Sequence, residues 1–547
     1  MKDPEYIEKM RHSLAHIMAA AIKSIWPTTQ FGIGPAVEDG FYYDVDLGET
    51  KISDRDFARI EQEMNKTIKA NLPITISEKS QAEAEKWAEA NNQPYKLELI
   101  KELTDQKITF YTLGDFEDLC RGPHVEKTGD VGKFKLLRVA GAYWRGDEKR
   151  PQMQRIYGLA YTTKDELDAR IKQIEEGKLR DHRKLGKELD LFCYSPLVGS
   201  GLPMFTPRGT VLRDELDKLA QSYREKNGYE KVWIPHIATT ELYKVSGHLE
   251  KFPELLRFVS HESGDELALK PVNCPHHSQI YASRPRSYRD LPVKYMETTT
   301  VYRDEKKGEL GGLSRVRSIT QDDSHVFCAN EQVEQVFGEL IESAKEMYAL
   351  LDMKLSLRLS FRDDGDGYIG DEKSWEAAQN AIQKMADKFK MDYEVGIGEA
   401  AMYGPKMDFM AEDAIGRKWQ VATVQLDYAQ PERFDLEYTA EDGSMKRPVM
   451  IHCALLGSIE RFMSVLIEHT MGKFPIWCAP EQLRVIKVKD SPELDKFVAD
   501  VTASAEEHGI RYTLDDSNNS VGKKIRASEV LKIPYTVVVG EKEVETG

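Results

Sequence analysis

The sequence predicts a multidomain protein combining α+β and α/β folds, and three observations carry that reading. Its 547 residues correspond to roughly three or four domains at about 150 residues each. In mid-chain, two long strands rich in aromatic and β-branched residues, VKYMETTTVYRDE and LSRVRSITQDDSHVFC, flank the glycine-containing loop KKGELGG, the pattern of an antiparallel hairpin. The tail alternates strand and helix signals as β-α-β-α-β, the pattern of a parallel sheet.

Residues 1–162 read as an α+β domain. RHSLAHIMAAAIKSIW is a helical apolar run that places His12 and His16 four residues apart, so both imidazoles leave one face about 6 Å apart. FGIGPAVEDGFYYDVD reads as a strand hairpin bounded by Gly and Pro, and DRDFARIEQEMNKTIKAN as an amphipathic helix. Residues 163–189 open with a capping-box pattern at Thr163 and Glu166 and continue with Leu167, Ile171 and Ile174 at helical spacing. The remaining faces are charged, which predicts a solvated helical linker. Residues 190–474 hold the long strands, which predict antiparallel pairing. Residues 475–547 contain LRVIKV, a helix capped by Ser491 with Pro492 in its first turn, IRYTLD, KKIRASEVL and YTVVVG. The chain is expected to stop at Gly547 straight after that last strand, where such a domain would normally continue.

Composition narrows the class. The amino terminus MKDPEYIEKM lacks the apolar core of a signal peptide, and the apolar runs are short and broken by charge, which predicts a cytoplasmic protein with no membrane partner. Six cysteines show no C-x-x-C pair and no disulfide-like density, as expected in a reducing compartment. A net charge of -16 argues against whole-surface attraction to nucleic acid. With 76 Lys and Arg, there are still cations enough for a local basic track.

Two constellations carry chemistry. Cys274 in KPVNCPHH, His325 in QDDSHVFC and His452 in VMIHCALLGS are each more often structural when taken alone. Together they would supply one thiolate and two imidazoles, a set that leaves a fourth zinc position open. Arg303, Glu305, Arg315 and Arg317 lie on or beside the hairpin, and Arg461 follows in GSIERF. Arginine forks match phosphate oxygens, although a surface hairpin with charged cross-strand pairs would look the same. No Walker loop and no G-x-G-x-x-G after a strand competes for a nucleotide.

The segment TTTVYRDEKKGELGGLSRVRSITQDDSHVFC resembles motif 2 of class II aminoacyl-tRNA synthetases, LGSIERF resembles motif 3, and GYEKVWIPHI resembles motif 1. With KPVNCP, QDDSH, YGPK, TVQLD and PVMIH in order, the chain is identified as a member of the threonyl-tRNA synthetase family from about residue 10 onward. The resemblance implies ATP-dependent activation of L-threonine and its transfer to tRNA(Thr), with Mg2+ accompanying ATP and one Zn2+ per chain on Cys274, His325 and His452. It implies that Arg303 holds the α-phosphate, Glu305 the adenine and Arg461 the outer phosphates. Arg315, Gln420, Thr423 and Ser458 would complete the ATP site. Asp323 would take the amino group of threonine, with Gln321, Tyr403, Lys406 and Gln425 lining its pocket.

HSLAH and DLCRGPH together resemble the family's editing domain. This implies hydrolysis of mischarged Ser-tRNA(Thr) by His12, His16, Cys120 and His124, with Lys96 and Asp118 as helpers and without a metal. The tail resembles an anticodon-binding domain that ends early, and motif 1 implies a homodimer. Because HSLAH begins at residue 12, the small ubiquitin-like domain that precedes it in many bacterial relatives is expected to be absent. His276 stands where relatives usually have glycine, and Cys453 where a basic residue is common. A non-catalytic RNA-binding regulator and a free-standing editing hydrolase are the rival readings, and neither requires both arginines and a complete ligand triad.

Overall fold

The computed structural model describes residues 3–103 and 107–546, and the chain divides into two compact units, Met1–Glu175 and Glu176–Gly547. No helix among the described residues is long and apolar enough to cross a membrane.

The first unit is α+β. Its opening helix, Pro4–Ile25, is capped by the Asp3 side chain, which accepts the Glu5 N–H, and carries proline in its first turn. Met10, Leu14, Ile17, Met18 and Ile22 form its buried stripe at helical spacing. The expected hairpin forms: Ala36–Val37 pairs antiparallel with Gly40–Asp46, which in turn pairs with Gln152–Tyr161, and that strand with Lys133–Tyr143. The amphipathic helix Phe57–Ala70 buries Phe57, Ile60 and Met64 in the same core and ends on Asn71 in the left-handed region. A second antiparallel sheet, Ile74–Lys79, Ile108–Leu113 and Phe116–Leu119, joins the helices Gln81–Ala90 and Pro94–Glu102 in a smaller core.

The expected capping box opens the helix Lys164–Arg180: the Glu166 carboxylate accepts the Thr163 N–H at 3.0 Å, and Thr163 Oγ1 accepts the Glu166 N–H at 3.2 Å. Only Leu167 is buried along this helix. At Asp181 the run breaks and restarts as His182–Glu188, which buries His182, Leu185 and Gly186. The second half of the predicted solvated linker is therefore packed, because His182 and Leu185, three residues apart, share one helix face.

The second unit is built on an eight-stranded sheet: β1 (Glu230–Lys231), β2 (Val293–Tyr302), β3 (Ser318–Cys328), β4 (Lys354–Phe361), β5 (Tyr393–Ile397), β6 (Lys406–Glu412), β7 (Lys418–Asp427) and β8 (Val449–Ser458). Their order is β1-β2-β3-β8-β7-β6-β4-β5. The six central strands are antiparallel, and only the edge pairs β1–β2 and β4–β5 run parallel. The helices Pro207–Lys226, Val333–Leu350, Glu372–Lys388 and Ile459–Thr470 contribute to the large core against this sheet. The hairpin arms pair from Val293 with Phe327 to Tyr302 with Ser318, so the loop between them is 303–317. Arg303, Glu305, Arg315 and Arg317 all sit on that loop rather than on the strands.

The tail forms the expected parallel sheet, Tyr512–Asp515, Leu483–Lys487 and Tyr535–Val539 in that order, with Ser491 accepting the Leu494 N–H at the start of helix Pro492–Glu507. The last strand is followed by a short helix, Glu541–Thr546. This corrects the expectation that the chain stops straight after a strand; acidic residues in its first turn suit a helix N-terminus. Gly547 lies outside the described residues.

Candidate active sites

In β3, side chains alternate between faces, which sends Gln321, Asp323 and His325 one way and Asp322 the other. The partner strand β8 carries a bulge between the pairs Gln321–Ser458 and Asp323–Ala454. Asp322 fills it: its Oδ2 accepts the N–H groups of Leu455 and Leu456 at 2.9 and 3.0 Å. The fully buried Arg224 lies at 3.1 Å from the same oxygen. Burial pushes the Asp322 carboxyl up to about 6 against the pull of Arg224 and those amides.

On the other face, His325 stands opposite His452 across β3 and β8, with His325 Nε2 and His452 Nδ1 3.0 Å apart. Cys274, the first residue of helix Cys274–Ala282, brings its thiol to them, and the donor atoms of all three lie within 4.8 Å of one another. All three are buried. Two residues that the sequence reading missed orient the imidazoles: Asp427 Oδ2 faces His452 Nε2 at 2.8 Å, and His277 Nδ1 faces His325 Nδ1 at 2.8 Å. Burial, and then the neighbouring His277 and His452, push His325 well below the ordinary histidine range, so its imidazole is neutral at pH 7. Burial raises the Cys274 thiol strongly; a thiolate here needs a cation beside it. One thiol, two oriented imidazoles and no water-exposed donor fit zinc with a position left open.

Around this cluster, Asp323 Oδ2 accepts from Asn273 at 2.9 Å, the Tyr403 ring lies 4.8 Å from that of His452, and Gln425 donates to the Gly404 carbonyl at 3.0 Å. Gln420 and Thr423 both donate to Asp408 Oδ1, at 2.8 and 2.7 Å. Lys406 lies 3.2 Å and Ser360 2.7 Å from Asp408 Oδ2. Asp408 is fully buried. It gathers three of the expected pocket residues, and nothing in the word KMDFM marks it as anything but one more strand residue.

The arginines expected to bind phosphate lie on the 303–317 loop and in the first turn of helix Ile459–Thr470. Arg303 is half-buried, with its guanidinium 5.3 Å from the Phe252 ring, and donates to the Pro271 carbonyl. Arg317 donates to the Glu305 carbonyl at 2.7 Å, and Arg315 donates to the Glu305 carboxylate at 2.8 Å. Glu305 thus holds Arg315, its expected neighbour in the ATP site. Ser458 caps helix Ile459–Thr470 and accepts the N–H of Arg461 at 3.2 Å. Arg461 Nε has no partner, and burial, then the nearby Arg358, lower its pKa. A half-buried guanidinium with an unpartnered Nε close to a second guanidinium is electrostatically suited to an anion. Arg358 was not anticipated; it donates to Gln420 at 3.1 Å and reaches Asp408 at 3.7 Å.

In the first unit, HSLAH and DLCRGPH converge. Cys120 Sγ lies 3.2 Å from His12 Nε2 and 3.3 Å from His124 Nε2, and the His16 ring is 5.3 Å from His12 and 4.5 Å from His124. Ser13, one residue along the helix, contacts His124 Nδ1 at 3.1 Å. Buried Lys96 pairs with Asp118 at 2.9 Å and donates to the Tyr43 hydroxyl at 3.1 Å; that hydroxyl donates to Asp118. Tyr43, too, was not anticipated. Burial pushes the Cys120 thiol up to about 11 and, with His12 nearby, brings His124 down to about 3. Burial also lowers His12 and holds His16 well below its usual value. His12, His16, Lys96 and Cys120 line an open cleft of about 660 Å³.

Comparison with known proteins follows the same division. Residues 256–470 match the tRNA synthetase class II core domain (G, H, P, S and T), 108–157 the threonyl and alanyl tRNA synthetase second additional domain, and 482–547 an anticodon binding domain. The chain is 46% identical to a threonine–tRNA ligase of Rubrobacter xylanophilus, covering 100% of this chain and 85% of the relative. It is 47% identical to that of Gloeobacter violaceus, covering 100% and 88%. Among solved structures, the RNA binding domain of threonyl-tRNA synthetase from Cryptosporidium parvum superimposes with a TM-score of 0.63 at 35% identity, over 67% of this chain and 90% of that one.

Proposed function

This chain belongs to the threonyl-tRNA synthetases, class II ligases that join L-threonine to tRNA(Thr) with ATP and Mg2+ and hydrolyse mischarged Ser-tRNA(Thr), and from that premise we propose how its residues divide the work. Threonine binds between the Cys274–His325–His452 cluster and Asp323, whose carboxylate is anchored by Asn273 at 2.9 Å and receives the amino group. Gln321, Tyr403, Lys406 and Gln425 close the pocket. Cys274, His325 and His452 would hold zinc, which would supply a Lewis-acid position selective for a substrate with both an amino and a hydroxyl group, and valine lacks the hydroxyl.

The threonine carboxylate then attacks the α-phosphorus of ATP, forming threonyl-adenylate and releasing pyrophosphate. Arg303 holds the α-phosphate, Glu305 the adenine, and Arg461 the outer phosphates, with Arg315, Gln420, Thr423 and Ser458 completing the site. These groups position the nucleotide and stabilise charge that develops on phosphate oxygens. A terminal ribose hydroxyl of the tRNA then takes the acyl group and releases AMP.

Serine keeps the hydroxyl and loses one methyl, worth only about 1–3 kcal/mol of discrimination. A second, hydrolytic site is therefore required. In the His12–His16–Cys120–His124 cluster, burial keeps the thiol un-ionised and the imidazoles neutral. That state suits a neutral imidazole as general base on water rather than a cysteine nucleophile, while the Lys96–Asp118 pair orients the ester.

The single observation that carries the zinc assignment is the convergence of three buried donors within 4.8 Å from separate elements. Metal analysis tests it: wild-type protein should hold one zinc per chain and Cys274→Ser almost none. A Cys274→Ser protein with a full equivalent would move the zinc to the first unit, where His12, His16, Cys120 and His124 also lie within that distance. A homodimer through motif 1 is supported by Trp233, which is 78% exposed beside edge strand β1. A cytoplasmic location is supported by the reducing-compartment use of cysteine, with no disulfide among the described residues.

A further inference from the structure

His182, absorbed into the linker by its sequence, stands at a junction that the reaction scheme does not use. It is buried at the start of helix His182–Glu188. Its Nδ1 lies 2.7 Å from Glu468 Oε1, which also accepts the His182 backbone N–H at 3.1 Å. Its Nε2 accepts the backbone N–H of Leu313 at 3.0 Å. These partners fix the tautomer: a carboxylate requires the proton on Nδ1, and an N–H donor requires a lone pair on Nε2.

Both partners belong to the ATP machinery. Leu313 lies on the 303–317 loop two residues before Arg315, and Glu468 lies in the last turn of helix Ile459–Thr470, whose first turn carries Arg461. The surroundings lock this geometry. Gly312 has φ +60°, and a Cβ there would stand 2.3 Å from His182 Nε2, so the loop approaches the imidazole as closely as backbone allows. Arg417 holds the other Glu468 oxygen at 2.7 Å. Arg180 donates to the Glu468 and His469 carbonyls at 3.1 and 2.9 Å, satisfying the end of that helix.

We propose that His182 is a positioning residue for ATP binding: its neutral imidazole pins the 303–317 loop to the helix that carries Arg461, holding the arginines of the two motifs in register. The proposal rests on the reading that this loop and Arg461 hold ATP.

Two substitutions split the two contacts. A glutamine places an acceptor near the position of Nε2 and loses the donor to Glu468; an asparagine does the reverse. His182→Asn should raise the KM for ATP in threonine-dependent ATP–pyrophosphate exchange about fivefold to tenfold, the scale of one lost hydrogen bond, with the KM for threonine and the melting temperature near wild type. His182→Gln, which cuts the tie to Glu468 instead, should raise the KM for ATP to a similar extent. If His182→Asn does not fold, Glu468→Gln leaves the imidazole in place but removes the carboxylate that fixes its tautomer, and it should show the same rise. Equal losses of melting temperature in the Asn and Gln variants with an unchanged KM for ATP, or a folded Glu468→Gln with unchanged KM, would reduce His182 to packing and overturn the proposal. Arg303→Ala serves as control: if it retains normal exchange, the ATP-loop reading itself has failed.

Discussion

Asp427 and His277 fix which nitrogen His452 and His325 turn toward the Cys274 cluster. Outer partners of this kind typically change metal affinity about 10- to 100-fold, so Asp427→Asn should lose zinc to a chelator at correspondingly lower concentration. Unchanged zinc retention would contradict the orienting role. Arg303→Ala should abolish most adenylate formation while leaving the melting temperature near wild type, because the guanidinium loses a long contact to the Pro271 carbonyl and its place beside the Phe252 ring. The clustering of Cys274, His325 and His452 was legible in the sequence because motif words placed the three residues. Their partners were not: Asp427 closes the word TVQLD and His277 the word PHH, but a side chain's hydrogen-bond partner is fixed by the register of β7 against β8 and by the packing of helix Cys274–Ala282, which no local pattern encodes.

Asp408 and Asp322 act at the level of the strand. Asp408 ties together β4, β6 and β7 through Ser360, Lys406, Gln420 and Thr423, so Asp408→Asn should depress amino-acid activation through several pocket residues at once. Kinetics matching wild type would show that the pocket holds its shape without this carboxylate. Asp322 occupies the β8 bulge and neutralises Arg224, and removing one partner of such a buried pair costs about 3–5 kcal/mol. Asp322→Ala should therefore lower the unfolding midpoint sharply, and a shift under about 1 kcal/mol would contradict that pairing. Strand alternation gave the hairpin and the shared face of Gln321, Asp323 and His325, since period two is written in the chain. The bulge, the length of the 303–317 loop and the packed helix after Asp181 were not legible, because each depends on what the neighbouring strand or helix offers.

At the scale of the whole molecule, buried histidines link stability to pH. His12, His16 and His124 have folded values depressed by burial, His124 to about 3, against an ordinary 6.5. The unfolded chain therefore takes up protons first as pH falls. Their contribution to stability is intact above about pH 6.5 and is lost as pH drops toward the folded values, with each group contributing up to about 1.4 kcal/mol per pH unit. Thermal unfolding followed from pH 8 to pH 4 should be flat to near 6.5 and then fall. A midpoint unchanged down to pH 4 would contradict the neutral cluster. Domain order and fold class were legible across the full chain, because a long polypeptide offers many motif words in sequence. The convergence of remote segments on one site was visible only through family resemblance.

The account stands most directly on how the second unit tells threonine from its near isosteres. The measurement is ATP–pyrophosphate exchange with threonine, serine and valine, run on the same preparation with zinc bound and after its removal. Exchange that is strong with threonine, weaker with serine, at background with valine and lost with the metal is the predicted result. Valine activated as readily as threonine, or threonine exchange undiminished in zinc-free folded protein, would contradict the reading of Cys274, His325 and His452.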